Sequence, residues 1–388
     1  MDQRRRLLFV GTYTPDSDPP GRGEGIHRVW FDPATGEMTD GGVAARTPGP
    51  SFLALNTAAE GAEGYAVYAV NERAEGTLTA FRVSGDATLT ELGSVPSGGG
   101  SPCHVRSTRS AIAVSNYADG VVTFHDLARD GSLGERAARF EHTGGGPVTD
   151  RQDGPHAHSA TALARLEQHE LVTTWLVADL GTDELRVHRS GMAVPTPLDH
   201  GRRRFHSGQG TPSAVALPPG TGPRHAVVYQ ADEFVAHLYV TGELDSRVHV
   251  VRWDHATDTG EHLGSVPATA HEAVGTNFPA EIAVHGDRVY VANRGADVLS
   301  TFAVRDAGAR LEHLADTPVG AWPRHFAVVR GHHGDPDHIV VAAQNGDCLL
   351  SLRIDPRTGV PEDTGHRLAV PDPVCVLPVP LRRIQRSE

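Results

Sequence analysis

Tyr68-Ala69-Val70-Asn71, an apolar strand running into a small polar turn, decides the fold because it recurs along the chain. The other copies are Phe9-Val10-Gly11-Thr12, Ala113-Val114-Ser115-Asn116, Leu176-Val177-Ala178-Asp179, Tyr239-Val240-Thr241-Gly242, Tyr290-Val291-Ala292-Asn293 and Val340-Val341-Ala342-Ala343-Gln344. With Thr12, Asn71, Asn116, Asp179, Gly242, Asn293 and Gln344 taken as equivalent, the copies fall roughly 45 to 63 residues apart, as in a repeat architecture.

Working outward, two further signals travel with each copy. Downstream comes a second strand, such as Thr79-Ala80-Phe81-Arg82-Val83, Val248-His249-Val250-Val251-Arg252 or Leu350-Ser351-Leu352-Arg353-Ile354. Asp32-Pro33-Ala34-Thr35-Gly36 and Asp355-Pro356-Arg357-Thr358-Gly359 follow strands of this type and carry turn chemistry: a side-chain acceptor, a preset φ and a residue tolerant of positive φ. Upstream comes a proline entry: Gly49-Pro50-Ser51-Phe52, Ser101-Pro102-Cys103-His104, Gly154-Pro155-His156-Ala157-His158, Gly222-Pro223-Arg224-His225, Phe278-Pro279-Ala280-Glu281, Trp322-Pro323-Arg324-His325 and Asp372-Pro373-Val374-Cys375. Proline as the first residue of a strand removes no ladder bond.

Seven copies of three signals predict an all-β chain, a seven-bladed β-propeller with four-stranded antiparallel blades. The strand Leu7–Val10 precedes a full unit and is expected to complete the last blade and close the ring. A pair of β-sandwiches would not produce a sevenfold recurrence. The reading covers 1–388 as one domain, with short flexible tails at 1–5 and 381–388. Only Thr161–Leu171 has a helical composition, between neighbours that read as strands.

Composition agrees. The 43 Gly and 27 Pro exceed ordinary usage and are spread as turn punctuation. Hydrophobic residues are 39% and charged residues 21%, enough for a packed core. The formal net charge of -13 argues against a basic nucleic-acid surface. All 35 basic residues are arginine, so Schiff-base lysines and the phosphate-loop lysine are excluded, and an anion here meets guanidinium forks. Cys103, Cys348 and Cys375 form no paired motif, which excludes a disulfide framework or zinc ribbon from the reading. The N-terminal apolar run is too short for a signal-peptide core, and no run reaches the roughly 20 residues of a membrane helix. The expectation is a cytoplasmic protein, monomeric or weakly self-associating, without nucleic-acid or membrane partners.

In a propeller the innermost strands surround a central channel, so the proline entries bring their following residues to one mouth of it. The turns after the paired strand bring Glu72, Tyr117, Asp179, Glu243 and Arg294 to a comparable level. The channel set includes His104, His156, His158, Arg224, His225, Glu243, Glu281, Arg294, Arg324 and His325, a composition suited to an anion-binding acid/base site. His156 and His158, two apart, would share one face of a strand. A metal pair there is disfavoured by the arginines expected nearby; the expectation is no metal and no cofactor. The run Arg202–Arg204 reads as a solvated loop.

Twelve motifs in order carry a resemblance: Val10-Gly-Thr-Tyr-Thr14, Pro50-Ser-Phe-Leu53, Ala69-Val-Asn-Glu72, Ser101-Pro-Cys-His104, Ser115-Asn-Tyr117, Arg151-Gln-Asp-Gly-Pro-His-Ala-His-Ser159, Asp179-Leu-Gly181, Gly222-Pro-Arg-His225, Gly242-Glu-Leu-Asp-Ser246, Ala280-Glu-Ile282, Asn293-Arg-Gly295 and Pro323-Arg324. From Phe9 to Val376 the chain resembles the seven-bladed lactonase family, which contains propeller-type 6-phosphogluconolactonases and fungal carboxymuconate cyclases. The resemblance implies His158, Arg224, Glu243 and Arg294 as catalytic residues, with His104, His156, Glu281 and Arg324 binding substrate. It implies hydrolysis of a small anionic lactone, foremost 6-phosphogluconolactone, with His158 or Glu243 taking the proton from water. A muconate-type lactone isomerase or a non-enzymatic binding scaffold are the competing readings. Two departures stand out. Gly242 replaces the family's usual Asn, and Asp-Gly turns are eroded at 59–62, 166–169 and 331–334.

Overall fold

The computed structural model describes residues 5–57, 65–167, 170–193, 206–207, 213–270, 276–332 and 334–380. Six blades follow one another along the chain, each beginning at its innermost strand. Blade 1 is Pro50–Asn56, Ala66–Asn71, Thr77–Val83 and Leu89–Pro96, and blade 2 is Pro102–Ser107, Ala111–Asn116, Val121–Leu127 and Leu133–Glu141. Blade 3 is Ala157–Glu167, Glu170–Asp179 and Glu184–Ala193, its outer edge supplied by two short pieces, His206–Ser207 and Ser213–Ala216. Blades 4, 5 and 6 begin at Pro223–Gln230, Phe278–His285 and Pro323–Val329 and have four strands each. The seven-bladed, four-stranded antiparallel reading holds.

Ring closure differs in detail from the expectation. The N-terminal strand Arg6–Thr12 does enter the last sheet, but it brings Ile26–Phe31 and Met38–Ala45 with it. Blade 7 is therefore one C-terminal strand, Pro373–Val379, innermost, and three N-terminal ones. Its seam is the antiparallel ladder from Leu7↔Val379 to Gly11↔Cys375.

The core explains why the strands read as continuous apolar runs. Seven buried clusters each sit at one blade–blade interface. Side chains alternate across a strand. Leu7 and Phe9 pack against blade 1, while Leu8 and Val10 pack against blade 6. Both faces of an inner sheet are thus buried. The turns behave as read: Asp355 Oδ1 accepts the Arg357 and Thr358 amides at 2.9 and 2.8 Å, and Gly359 takes φ 74°.

The helical reading of Thr161–Leu171 is overturned. The segment is a strand hairpin in which Thr161 faces Leu176 and Leu166 faces Leu171. Its Ala, Leu, Arg and Glu favour a helix in isolation, but pairing along blade 3 overrides that weak preference. The tails at 1–5 and 381–388 (Arg5 apart), Arg202–Arg204, the eroded turn at 59–62 and part of those at 166–169 and 331–334 lie outside the described residues. Among the described residues no helix is long and apolar enough to cross a membrane.

Buried imidazoles make the fold acid-sensitive. Burial, reinforced by Arg136, lowers His125 to about 4; burial, with His142 and Arg186, lowers His188 to about 3. The folded pKa lies below the unfolded value near 6.5, so the unfolded chain binds more protons as pH falls. The stabilisation is complete above pH 6.5 and lost as pH drops through 4 and 3. Thermal melts should show the Tm falling across that window, and a His125→Asn variant should have a shallower slope, by up to about 1.4 kcal/mol per pH unit. A Tm independent of pH from 7 to 4 would contradict this.

Candidate active site

The site is built by one repeated irregularity. The seven innermost strands touch one another in a closed ring. Just inside each of their starts, two residues oppose one on the neighbouring strand. Such a β-bulge re-aims side chains. By register, the first bulge position holds Ser51, Cys103, His158, Arg224, Ala280, Arg324 and Val374. The second holds Phe52, His104, Ser159, His225, Glu281, His325 and Cys375. On each second strand, the residue after the one paired just before the bulge forms a third level: Tyr13, Glu72, Tyr117, Leu180, Glu243, Arg294 and Gln344. Two alignments shift by one residue accordingly. Ala343, not Gln344, matches Asn71. Asp179 ends its strand, where it binds His142 Nδ1 at 2.6 Å and the His156 amide at 2.8 Å instead of entering the channel.

Glu243 is the centre of the upper cluster. Arg294 donates to its Oε2 at 2.7 Å and Arg151 to its Oε1 at 2.7 Å, while Arg224 Nε lies 3.1 Å from Oε2. Burial alone would raise this carboxyl; Arg294, Arg224 and Arg151 outweigh it and hold Glu243 well below the usual carboxylate range. Arg224 is in the opposite position. Burial, then the charges of Arg294 and Arg324, bring it down to about 9. Its Nε hydrogen does not point at Glu243, and both Nε and Nη1 are buried without a hydrogen-bond partner. Arg324 stacks over Tyr13 at 5.2 Å, and Tyr13 Oη lies 3.3 Å from Glu72 Oε1. Burial raises Glu72 despite Arg324.

Beneath the arginines, rings close the channel. Phe52 contacts His104, His225 and His325 at centroid distances of 4.4, 5.7 and 5.4 Å, and His225 contacts His104 and His158 at 5.4 and 5.3 Å. Burial, with the surrounding arginines, pushes His104, His158 and His225 well below 6.5, so all three are neutral at pH 7. Beyond these rings lies a cavity of about 860 Å3 bordered by Phe52, His104, Arg106, His225 and Glu281. Glu281 Oε2 lies 2.8 Å from His225 Nδ1 and 3.4 Å from His325 Nε2.

The geometry brings His158, Arg224, Glu243 and Arg294 together, with Arg324 beside them and His104 and Glu281 one level below. His156 departs from expectation. The bulge between Ala157 and Ser159 breaks the strand period, and His156 lies before the strand. Its Nδ1 lies 2.8 Å from the Tyr117 carbonyl, and its ring stacks on Tyr117 at 4.6 Å, while His158 meets the same Tyr117 ring edge-on at 5.6 Å. The two imidazoles flank a tyrosine and do not form a pair. Among the described residues no three His, Cys, Asp or Glu side chains are gathered as metal ligands. At Gly242 an added Cβ would meet the Asp245 carboxylate, which would have to shift to admit it. Asp245 Oδ2 lies 2.8 Å from His249 Nε2.

Sequence reasoning left Tyr13 and Arg151 unassigned. Tyr13 follows Thr12 as Glu72 follows Asn71, so the repeat already contained that signal. Arg151 comes from the loop before blade 3, outside every repeated unit, and nothing in the repeat pointed to it.

The channel end gathers Arg151, Arg224 and Arg294 around one ionised carboxylate, with Arg324 beside them and neutral imidazoles below, a set of groups that suits a small anion and acid/base chemistry. The chain belongs to the family described as "Lactonase, 7-bladed beta-propeller", whose model matches residues 7–378. It is similar to the 6-phosphogluconolactonase of Bacillus subtilis (strain 168), 28% identical over 377 residues covering 95% of this chain and 97% of that one. It is also similar to the 6-phosphogluconolactonase of Formosa agariphila, 26% identical with 94% and 96% coverage. Among solved structures, the periplasmic gluconolactonase PpgL of Pseudomonas aeruginosa superposes with a TM-score of 0.76 at 26% identity, covering 97% of this chain and 100% of that one. The family drawn from the motifs is the one found.

Proposed function

We propose that this chain hydrolyses 6-phosphogluconolactone to 6-phosphogluconate at the arginine end of the channel, without a metal. The observation that carries the reading is Arg224: a buried guanidinium with two unpartnered donors beside Arg294 and Arg324. Buried donors left unmade are costly, and an anion relieves them. Lactone hydrolysis offers that anion twice, as the substrate's own charge and as the tetrahedral oxyanion. Glu243 has both oxygens engaged and is held strongly acidic, so it anchors the arginines and is a poor proton acceptor. A neutral imidazole below them supplies the base.

The test is turnover by purified protein on 6-phosphogluconolactone, unphosphorylated gluconolactone and a muconate lactone, with spontaneous hydrolysis subtracted. Saturable hydrolysis with the highest kcat/KM on the phosphorylated lactone is expected. Preference for the muconate lactone would favour an isomerase, and no saturable turnover would leave a binding scaffold.

The charge state of Arg224 gives a pH signature. Burial and the charges of Arg294 and Arg324 disfavour the Arg224 charge and bring the group down to about 9. Affinity for 6-phosphogluconate, already fully ionised there, should hold from pH 7 to 8.5 and fall as pH rises through 9. Calorimetric titrations showing unchanged affinity at pH 10 would remove Arg224 from the anion site.

A further inference from the structure

Two histidines reach the arginine cluster from neighbouring blades, and their surroundings differ. His158 Nδ1 lies 3.9 Å from Cys103 Sγ, a weak partner, and among the described residues no carboxylate bonds its ring. His225 Nδ1 lies 2.8 Å from Glu281 Oε2, with side chains 6% and 15% exposed. A carboxylate on Nδ1 fixes the tautomer that leaves Nε2 unprotonated. His225 Nε2 is buried and has no hydrogen-bond partner. The bulge that gives blade 4 its Arg224 also places His225 next to it, so base and oxyanion donor come from consecutive residues. Nucleophile activation by a base that a third group orients is a recurrent catalytic arrangement.

We propose that His225 is the general base of the reaction and that Glu281 is its positioning residue; this rests on the lactonase reading above. As the oxygen of water bonds to the lactone carbonyl carbon, one water proton passes to His225 Nε2 and the carbonyl oxygen becomes the oxyanion held by Arg224. Imidazolium and oxyanion arise together, so the net charge beside Arg224, Arg294 and Arg324 does not change. Collapse breaks the ring C–O bond, and the imidazolium returns its proton to the departing alkoxide, leaving a hydroxyl and a new carboxyl group.

The experiment compares His225→Asn, His158→Asn, Glu281→Gln and Glu281→Asp in lactone turnover and in 6-phosphogluconate binding. His225→Asn should lower kcat by about 100-fold or more with Kd within threefold of wild type, and His158→Asn should lower it less. Glu281→Gln should lower kcat about 10-fold, with partial rescue in Glu281→Asp. In 15N-histidine NMR of the wild-type protein, His225 should carry its proton on Nδ1, a readout that stands even if a variant fails to fold. Turnover by His225→Asn within threefold of wild type, or a proton on Nε2, would overturn the assignment. Wild-type protein that turns over no lactone would remove the proposed function, and this assignment with it; turnover unimpaired by His225→Asn would remove this assignment alone.

Discussion

Arg224→Met is expected to lower kcat on 6-phosphogluconolactone by about 100- to 1,000-fold, the usual loss on removing an oxyanion donor, and to raise the melting temperature at the same time. The two effects share one cause. The folded state disfavours the Arg224 charge, since burial and two like charges bring the group down to about 9. A shift away from the unfolded value in that direction is free energy stored against folding. Methionine fills similar space, carries no charge and leaves no buried donor unmade. Glu243 keeps Arg151 and Arg294 as hydrogen-bond partners. Sites that need a strained charge for chemistry commonly trade stability for activity. Kinetics with background subtracted and a thermal melt check both halves. Wild-type turnover, or a Tm lowered by several degrees, would show that Arg224 is a structural ion-pair member instead of a poised anion donor.

How far the sequence led is clearest in the bulges. The blades were legible because their signals are local: proline entries, Asp turns and strands apolar on both faces are each set by a few neighbouring residues. The levels of the channel were nearly legible too, since Arg224, His225, Glu281, Arg324 and His325 sit at fixed offsets from a proline. What the spacing could not show is that each innermost strand carries an extra residue there. The period of two placed His156 and His158 on one face; the bulge sends His158 toward Arg224 and leaves His156 against Tyr117. The pairing of His225 with Glu281 joins two blades, and Arg151 reaches Glu243 from a loop between blades, 92 residues away. Such contacts depend on ring closure, which no local pattern encodes. Thr161–Leu171 failed for the complementary reason: its local preference was real and tertiary pairing overruled it.

Glu243→Ala is expected to be the most damaging change to stability, about 3–5 kcal/mol, the usual penalty for removing one partner of a buried ion pair. Three guanidiniums converge on this carboxylate, and Arg224 and Arg294 are themselves 3% and 6% exposed. Removing it leaves buried cations facing one another with Arg324 close by. Glu72 is a poor substitute, because burial raises its carboxyl toward the neutral form. If the loss arises from arginine repulsion, Arg224→Met should stabilise the Glu243→Ala background by more than it stabilises the wild type. Contacting residues in one charge network depart from additivity by about 0.5–3 kcal/mol, well within reach of denaturant titration. Strict additivity in that cycle would mean that Glu243 stabilises the fold through packing, and that the arginines tolerate one another without it.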